Sequence, residues 1–312
     1  MSSGVDAARF RDARFDADFP SWGGPHPSAA SAVFADLTAY LRQPFEAVAD
    51  DYWRYHQGVD LEAQRRVGEA SDAATVLQYY TQTPHYLYEL SSWEASREKQ
   101  AWFAVVAAAC RRYGLRHVLD VGGGVGGLTL YLNRRRIRCD YLDVKGKTFD
   151  YAAWRFARHG LDVAMFDVLS ANRRPRGPYH AIVTWDVLEH IFDLEGAIRD
   201  IALWLRPGGW FLSKSTFATL DGRHEAIHLA RHARYGDVRA LNALMERHGL
   251  RFVGQLKPGR FSRLLRACGL PFAVAGIRIV PRLKHGGNFL VHERVADAAA
   301  DAPAEAQVGG RR

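Results

Sequence analysis

From about residue 29 apolar side chains recur at helix spacing, up to about residue 97. After that they collect in short runs separated by helical stretches. Val33, Leu37, Tyr40 and Leu41 share one helix face until Pro44, and a second helical run covers about 61–78. Residues 29–97 are therefore read as a helical section, a lid or brace for the rest of the chain. Residues 1–28, aperiodic and carrying Gly, Pro, Ser and Asp, are read as a disordered lead. The helical section ends in an aromatic stretch, Tyr79 to Leu90, in which Tyr80, His85 and Tyr86 serve either as a seam or as a cover over a site.

From residue 98 the pattern alternates. A helix over 98–113, closed by Gly114, runs into an apolar strand at Val118, Leu119 and Val121. Further strands are predicted at 139–144, 161–166, 181–185, 210–213, 251–256 and 288–295. Helices are predicted between them at about 149–159, over the face Leu194, Ile198, Ile201 and Leu205, and at 237–248. Strands alternating with helices give an α/β fold, a doubly wound parallel sheet of about seven strands, with ligands at the strands' C-terminal ends. Residues 98–296 form this domain, with an insertion near 257–287 and a disordered tail at 297–312.

Composition narrows the class. With 312 residues and 48% hydrophobic content the chain can bury a full core. No run reaches the ~20 apolar residues of a membrane span, and Asp6, Arg9, Arg11 and Asp12 leave no signal-peptide core. A cytoplasmic location is expected. Cys110, Cys139 and Cys268 are odd in number and widely spaced, which argues against disulfides and against a cysteine zinc site. The charge of +8 is nearly all arginine, since lysine occurs only at 99, 145, 147, 214, 257 and 284, and scattered arginines read as a solvated surface.

The chemistry gathers at residues 117–127, His-Val-Leu-Asp-Val-Gly-Gly-Gly-Val-Gly-Gly. A strand, a bare glycine turn and a helix start bring backbone N–H groups close to a ligand and favour an anionic group there. Gly122, Gly124 and Gly127 satisfy the G-x-G-x-x-G of dinucleotide sites, whereas Asp120, Gly122, Gly124 and Gly126 satisfy the D-x-G-x-G-x-G of S-adenosylmethionine sites. Asp120 favours the second, because dinucleotide sites usually keep that position apolar. Asp143, at the second strand's end, suits ribose hydroxyls in either.

Downstream motifs complete the pattern: Asp167 after the third strand, Asp186-Val-Leu-Glu-His after the fourth, and Leu205-Arg-Pro-Gly-Gly before the fifth. Over about 98–216 the chain resembles the class I, Rossmann-like S-adenosylmethionine-dependent methyltransferases. The resemblance implies S-adenosylmethionine as cofactor, held by the glycine loop at its methionine, by Asp143 at its ribose and by Asp167 at the adenine amino group. It further implies Val144 and Val168 against the adenine faces and Asp186 beside the transfer site. It also places His190 near the transferring methyl, and the segment after the fifth strand brings His228, so one of the two is expected to serve as base. An NAD(P) oxidoreductase is the alternative, as is a methyltransferase acting on RNA or lipid.

His224-Glu-Ala-Ile-His228 spells the zinc-protease pattern H-E-x-x-H, yet Arg234 stands where a third histidine would be. A lid role is favoured and no metal is expected. The insertion carries Arg260, Arg263, Arg266, Arg278, Arg282 and Lys284 among apolar residues, a pattern compatible with an anionic substrate or a peripheral membrane contact. A small-molecule substrate is expected, not nucleic acid, because no broad basic face is visible. The pattern assigns no oligomeric state.

Overall fold

The computed structural model describes residues 26–54, 61–170, 174–217, 227–257, 277–281 and 288–295. The tail, most of the lead, most of the insertion and His224 to Ala226 lie outside the described residues. Five helices come first: α1 (Pro27–Leu41), α2 (Phe45–Arg54), α3 (Leu61–Gly68), α4 (Ala73–Gln82) and α5 (His85–Glu94). The second helical run is thus two helices. Asp72 separates them by capping α4, accepting from the Thr75 N–H at 2.8 Å. The aromatic stretch spans the end of α4 and the first part of α5, where Leu87, Tyr88, Ser91 and Glu94 are buried.

Helix α6 (Arg97–Arg112) starts at Ser96, whose hydroxyl accepts from the Lys99 N–H at 3.1 Å. Glu98 in its first turn and Arg111 and Arg112 in its last suit the helix dipole. Next come β1 (His117–Val121), α7 (Gly127–Asn133), β2 (Arg138–Asp143), α8 (Lys147–Arg158), β3 (Met165–Asp167) and β4 (Tyr179–Trp185). The chain continues through α9 (Leu194–Trp204), β5 (Leu205–Lys214), α10 (Val238–Arg247), β6 (Leu250–Lys257), β7 (Arg278–Val280) and β8 (Phe289–Arg294).

These strands form one eight-stranded sheet in the order β3-β2-β1-β4-β5-β8-β6-β7. The first five are parallel, whereas β8 runs antiparallel between β5 and β6, and β7 adds antiparallel to β6. The eighth strand, β7, comes from the insertion, whose Arg278–Val280 pairs with Gln255, Leu256 and Lys257. β3 is shorter than its apolar pattern suggests, since it pairs with β2 over only three residues. Alternation along β1 divides the core: Val118 packs with α6 and α7 residues on one face, and Leu119 and Val121 pack with α9 and α10 residues on the other. Among the described residues no helix is long and apolar enough to cross a membrane.

The N-terminal helices are fastened to this sheet by Arg155 of α8, a side chain only 1% exposed. Its Nη1 and Nη2 donate to Glu94 of α5 at 2.6 and 2.9 Å, and its Nε donates to Asp36 of α1 at 3.1 Å. Nη1 also donates to the carbonyl of Val125 in the glycine turn at 2.7 Å. Asp36 is further paired with Arg158 and His159, at 3.2 and 2.8 Å. Removing only the cation would leave buried Glu94 without its counter-charge and Asp36 with Arg158 and His159 alone. Arg155→Met should therefore lower the unfolding free energy by about 3–5 kcal/mol in a denaturant titration, and a loss under ~1 kcal/mol, the scale of a surface pair, would contradict this role.

Candidate active site

The strand order reverses at β1, whose neighbours are β2 and β4, and there the C-terminal ends of the strands open into a crevice. A cavity of about 560 Å³ occupies it. Its floor is the glycine turn from Asp120 to Val125, tied to β2 by the Gly122 N–H on the Leu142 carbonyl at 2.8 Å. Gly124 takes φ +54°, a backbone region costly for other residues, and its N–H donates to Asp143 Oδ2 at 2.6 Å. Gly126 does not line the cavity; it faces Phe156 of α8. Gly127 answers a different need, since a Cβ there would fall 2.6 Å from Glu94, the carboxylate that holds Arg155.

Four predicted acids line the cavity: Asp120, Asp143, Asp167 and Asp186. Asp120 accepts from the Thr129 hydroxyl at 2.9 Å, and burial pushes its carboxyl up to about 6. Asp143 is likewise pushed up to about 6 by burial, opposed by the N–H groups of Gly124 and Val144, the latter at 2.6 Å. Asp167 Oδ1 accepts from the Lys145 and Leu169 N–H groups at 3.1 and 3.0 Å. Val144 and Val168 also line the cavity, and Val168 leaves 47% of its surface exposed.

Asp186 adopts φ +52°, its N–H donates to the Lys214 carbonyl at 2.7 Å, and its Oδ2 is buried without a hydrogen bond. Burial raises its pKa, opposed by the charges of Lys99 and Lys214. Lys99 is the site residue that the sequence motifs did not reveal. Its ammonium lies 3.6 Å from the Trp185 ring centroid and 4.0 Å from that of Trp93, and burial pushes it down to about 8 against the pull of Asp186. The signal available was slight: a lysine, in a chain that otherwise uses arginine, one turn into the helix that feeds β1.

At the other end the 3-10 turn Leu188–His190 presents His190 to the cavity. Its ring lies 5.9 Å from Tyr80 and 5.1 Å from His228, so the two predicted histidines do meet. Burial and the neighbouring His228 push the His190 imidazole down to about 3, so it stands neutral at physiological pH. His228 is buried behind it, in a bend ahead of the 3-10 turn Ala230–Gly236 rather than on an α-helix. Of the aromatic stretch, Tyr80 and Tyr86 line the cavity, while His85 turns away to Glu89 at 2.7 Å.

A methyltransferase-domain family model matches residues 93–255, more than half of the chain. The chain belongs to this family. Among similar proteins, a ubiquinone biosynthesis O-methyltransferase of Chromobacterium violaceum is 28% identical over 157 residues, 50% of this chain and 64% of that one. The hybrid synthetase fsa1 of Fusarium sp. is 25% identical over 62% of this chain but only 5% of its own length. The chain thus matches a small part of the fungal synthetase and under two thirds of the ubiquinone enzyme. Solved structures include the mitomycin 7-O-methyltransferase, at 20% identity, TM-score 0.47, covering 87% of this chain and 74% of that one. Another is magnesium protoporphyrin IX methyltransferase from Synechocystis with bound SAM, at 14% identity, TM-score 0.42, covering 77% and 94%.

The methyltransferase uses S-adenosylmethionine, and the oxidoreductase alternative falls with the family assignment. The residues present fit this cofactor. Asp143 takes one N–H on each oxygen and keeps further acceptor capacity, the unpartnered Asp186 Oδ2 awaits a donor, and exposed Val168 offers an apolar face. In the free methyltransferase Lys99 should titrate near 8, and Asp186→Asn should lower that value, because the carboxylate favours the charged ammonium. NMR of lysine-labelled protein reads both. An ordinary value near 10.5 in wild type, unmoved by the substitution, would remove the pairing.

Proposed function

We propose that this enzyme transfers a methyl group to a hydroxyl of a small, largely apolar acceptor bound between the glycine turn and the N-terminal helices. The observation that carries this reading is the enclosure of the cavity's far end by Tyr80, Tyr86, Phe192 and His190, an aromatic wall suited to a compact ring. A hydroxyl acceptor is supported by the similarity to the ubiquinone biosynthesis O-methyltransferase. The buried thiols Cys110 and Cys139, both free, support a cytoplasmic location.

In this reading the N–H groups of the glycine turn face the cofactor's methionine end, with Asp120 buttressing the turn through Thr129. Asp143 receives the ribose hydroxyls, Asp167 the adenine amino group, and Val144 and Val168 flank the ring. Gly126 contributes by letting α7 start against α8. Asp186 and Lys99 fix the charge beside the transfer point. When bound, S-adenosylmethionine supplies an electrophilic methyl on a sulfonium, so the protein's task is alignment and exclusion of water. Tyr80 and Tyr86 close the acceptor end, and His190 and His228 handle the acceptor's proton.

Three outcomes are expected. Asp143→Ala should weaken S-adenosylmethionine binding by about 10- to 100-fold in calorimetry, the scale of hydrogen bonds to a charged group. Wild-type affinity should also decline as pH falls below about 6, because protonation removes the carboxylate that accepts the ribose hydroxyls. Third, methyl-labelled cofactor should label small phenols and enols, whereas labelling of bulk RNA or lipid vesicles in their place would sink the small-molecule reading.

A further inference from the structure

We infer that Glu189, His190 and His228 form a binding site for one divalent transition-metal cation at the acceptor end of the cavity. One ligand atom of each lies within 4.8 Å of the other two. Around a cation bound at about 2.0–2.2 Å, neighbouring ligand atoms stand ~3–4 Å apart, so a small contraction completes the set. Two imidazoles and a carboxylate suit zinc, manganese or iron and leave coordination positions open.

The donors are also prepared for a ligand. Glu189 is 1% exposed; its Oε1 accepts from the Thr216 N–H at 2.8 Å, but its Oε2 is buried with no hydrogen-bond partner. His190 Nδ1 is buried without a partner as well, while the ring hydrogen-bonds the backbone of Ile227. Donating one ring N–H to a carbonyl leaves the other nitrogen as a bare lone pair, the arrangement metal-binding histidines adopt. Buried polar atoms without partners are rare, and two in one cluster of metal-ligating residues point to an occupant.

The segment bearing His228 is clamped onto the turn bearing Glu189 and His190. The Leu229 N–H donates to the Glu189 carbonyl at 3.2 Å, and His232 Nε2 donates to the Ile191 carbonyl at 2.8 Å. Such bonds hold donors from distant parts of the chain in register. A cation here would also offset the repulsion between Glu189 and nearby Asp186. The expectation of no metal rested on the cysteine spacing and the incomplete protease pattern, and that pattern contributes only His228. Glu189 and His190 come from the turn after β4, so no sequence spacing announces the set.

The inference deepens the acceptor chemistry proposed for this cavity and rests on its reading as a methyl-transfer site. His190 is the member of the set that lines the cavity, so a cation held there would take the acceptor hydroxyl oxygen as a ligand. Coordination favours the deprotonated form, so with the cation bound His190 and His228 would handle the acceptor's proton as ligands of that cation rather than as bases, and the proton passes to solvent.

The test uses tag-free protein stripped with chelator and titrated with Zn²⁺, Mn²⁺ or Co²⁺, with bound metal counted by elemental analysis. One equivalent per chain is expected, weakened at least tenfold by Glu189→Gln and by His228→Gln. Calorimetry should show S-adenosylmethionine still bound by the stripped wild type. X-ray absorption of the wild-type zinc form should show nitrogen ligands of imidazole type, which keeps the test decisive if a variant fails to fold. No uptake by folded wild type, an all-oxygen shell, or uptake unchanged in both folded variants would overturn the site. Loss of S-adenosylmethionine binding with metal uptake intact would instead strike the methyl-transfer reading.

Discussion

A single buried guanidinium holds this molecule's two halves in one arrangement. Arg155 sits where α1, α5, α8 and the glycine turn converge, and it bonds to a group from each of the other three. Three of its partners' oxygens are carboxylate oxygens. Charges so deep in a low-dielectric interior tolerate little displacement, because each would be left without its counter-charge. Helix α5 and the glycine turn, both of which line the cavity, are consequently tied together by one residue outside it.

The cavity itself repeats this use of buried charge on a smaller scale. Lys99 stands between two indole rings and in the field of Asp186, and Asp186 is held in a strained backbone conformation by the carbonyl of Lys214. Apolar walls around a few fixed charges strengthen every interaction made within them. The site is aromatic at its acceptor end and charged along its floor, a division suited to a polar cofactor and a less polar acceptor.

Much of this was legible in the sequence because it is local. The strand, glycine turn and helix are contiguous, and Asp143, Asp167 and Asp186 each end or adjoin a readable strand, so their convergence comes from the parallel topology. What stayed hidden depends on contacts across the chain. Arg155 lies 119 residues from Asp36 and 61 from Glu94, and no spacing rule joins them. Lys99 looks like a surface residue until the tryptophans fold over it. Strand β7 is too short to show a period, and the aromatic stretch joins the end of α4 to α5, whose bulky residues obscured its pattern. The glycines mislead in a useful way: Gly127 completes a dinucleotide pattern, yet it is bare to make room for Glu94.

The order of strands carries a consequence for how the chain is made. Strand β8, the last of the described strands to leave the ribosome, is an interior one, placed between β5 and β6. Until Phe289–Arg294 has emerged, β6 and β7 lack the strand that joins them to β5, although β1 to β5 and the cofactor floor are already synthesised. The nascent protein therefore passes through a stage in which β5 presents an open edge of unpaired backbone groups. Biosynthesis exposes for that interval a surface that the finished enzyme covers, and protection of the growing chain becomes part of what the fold requires.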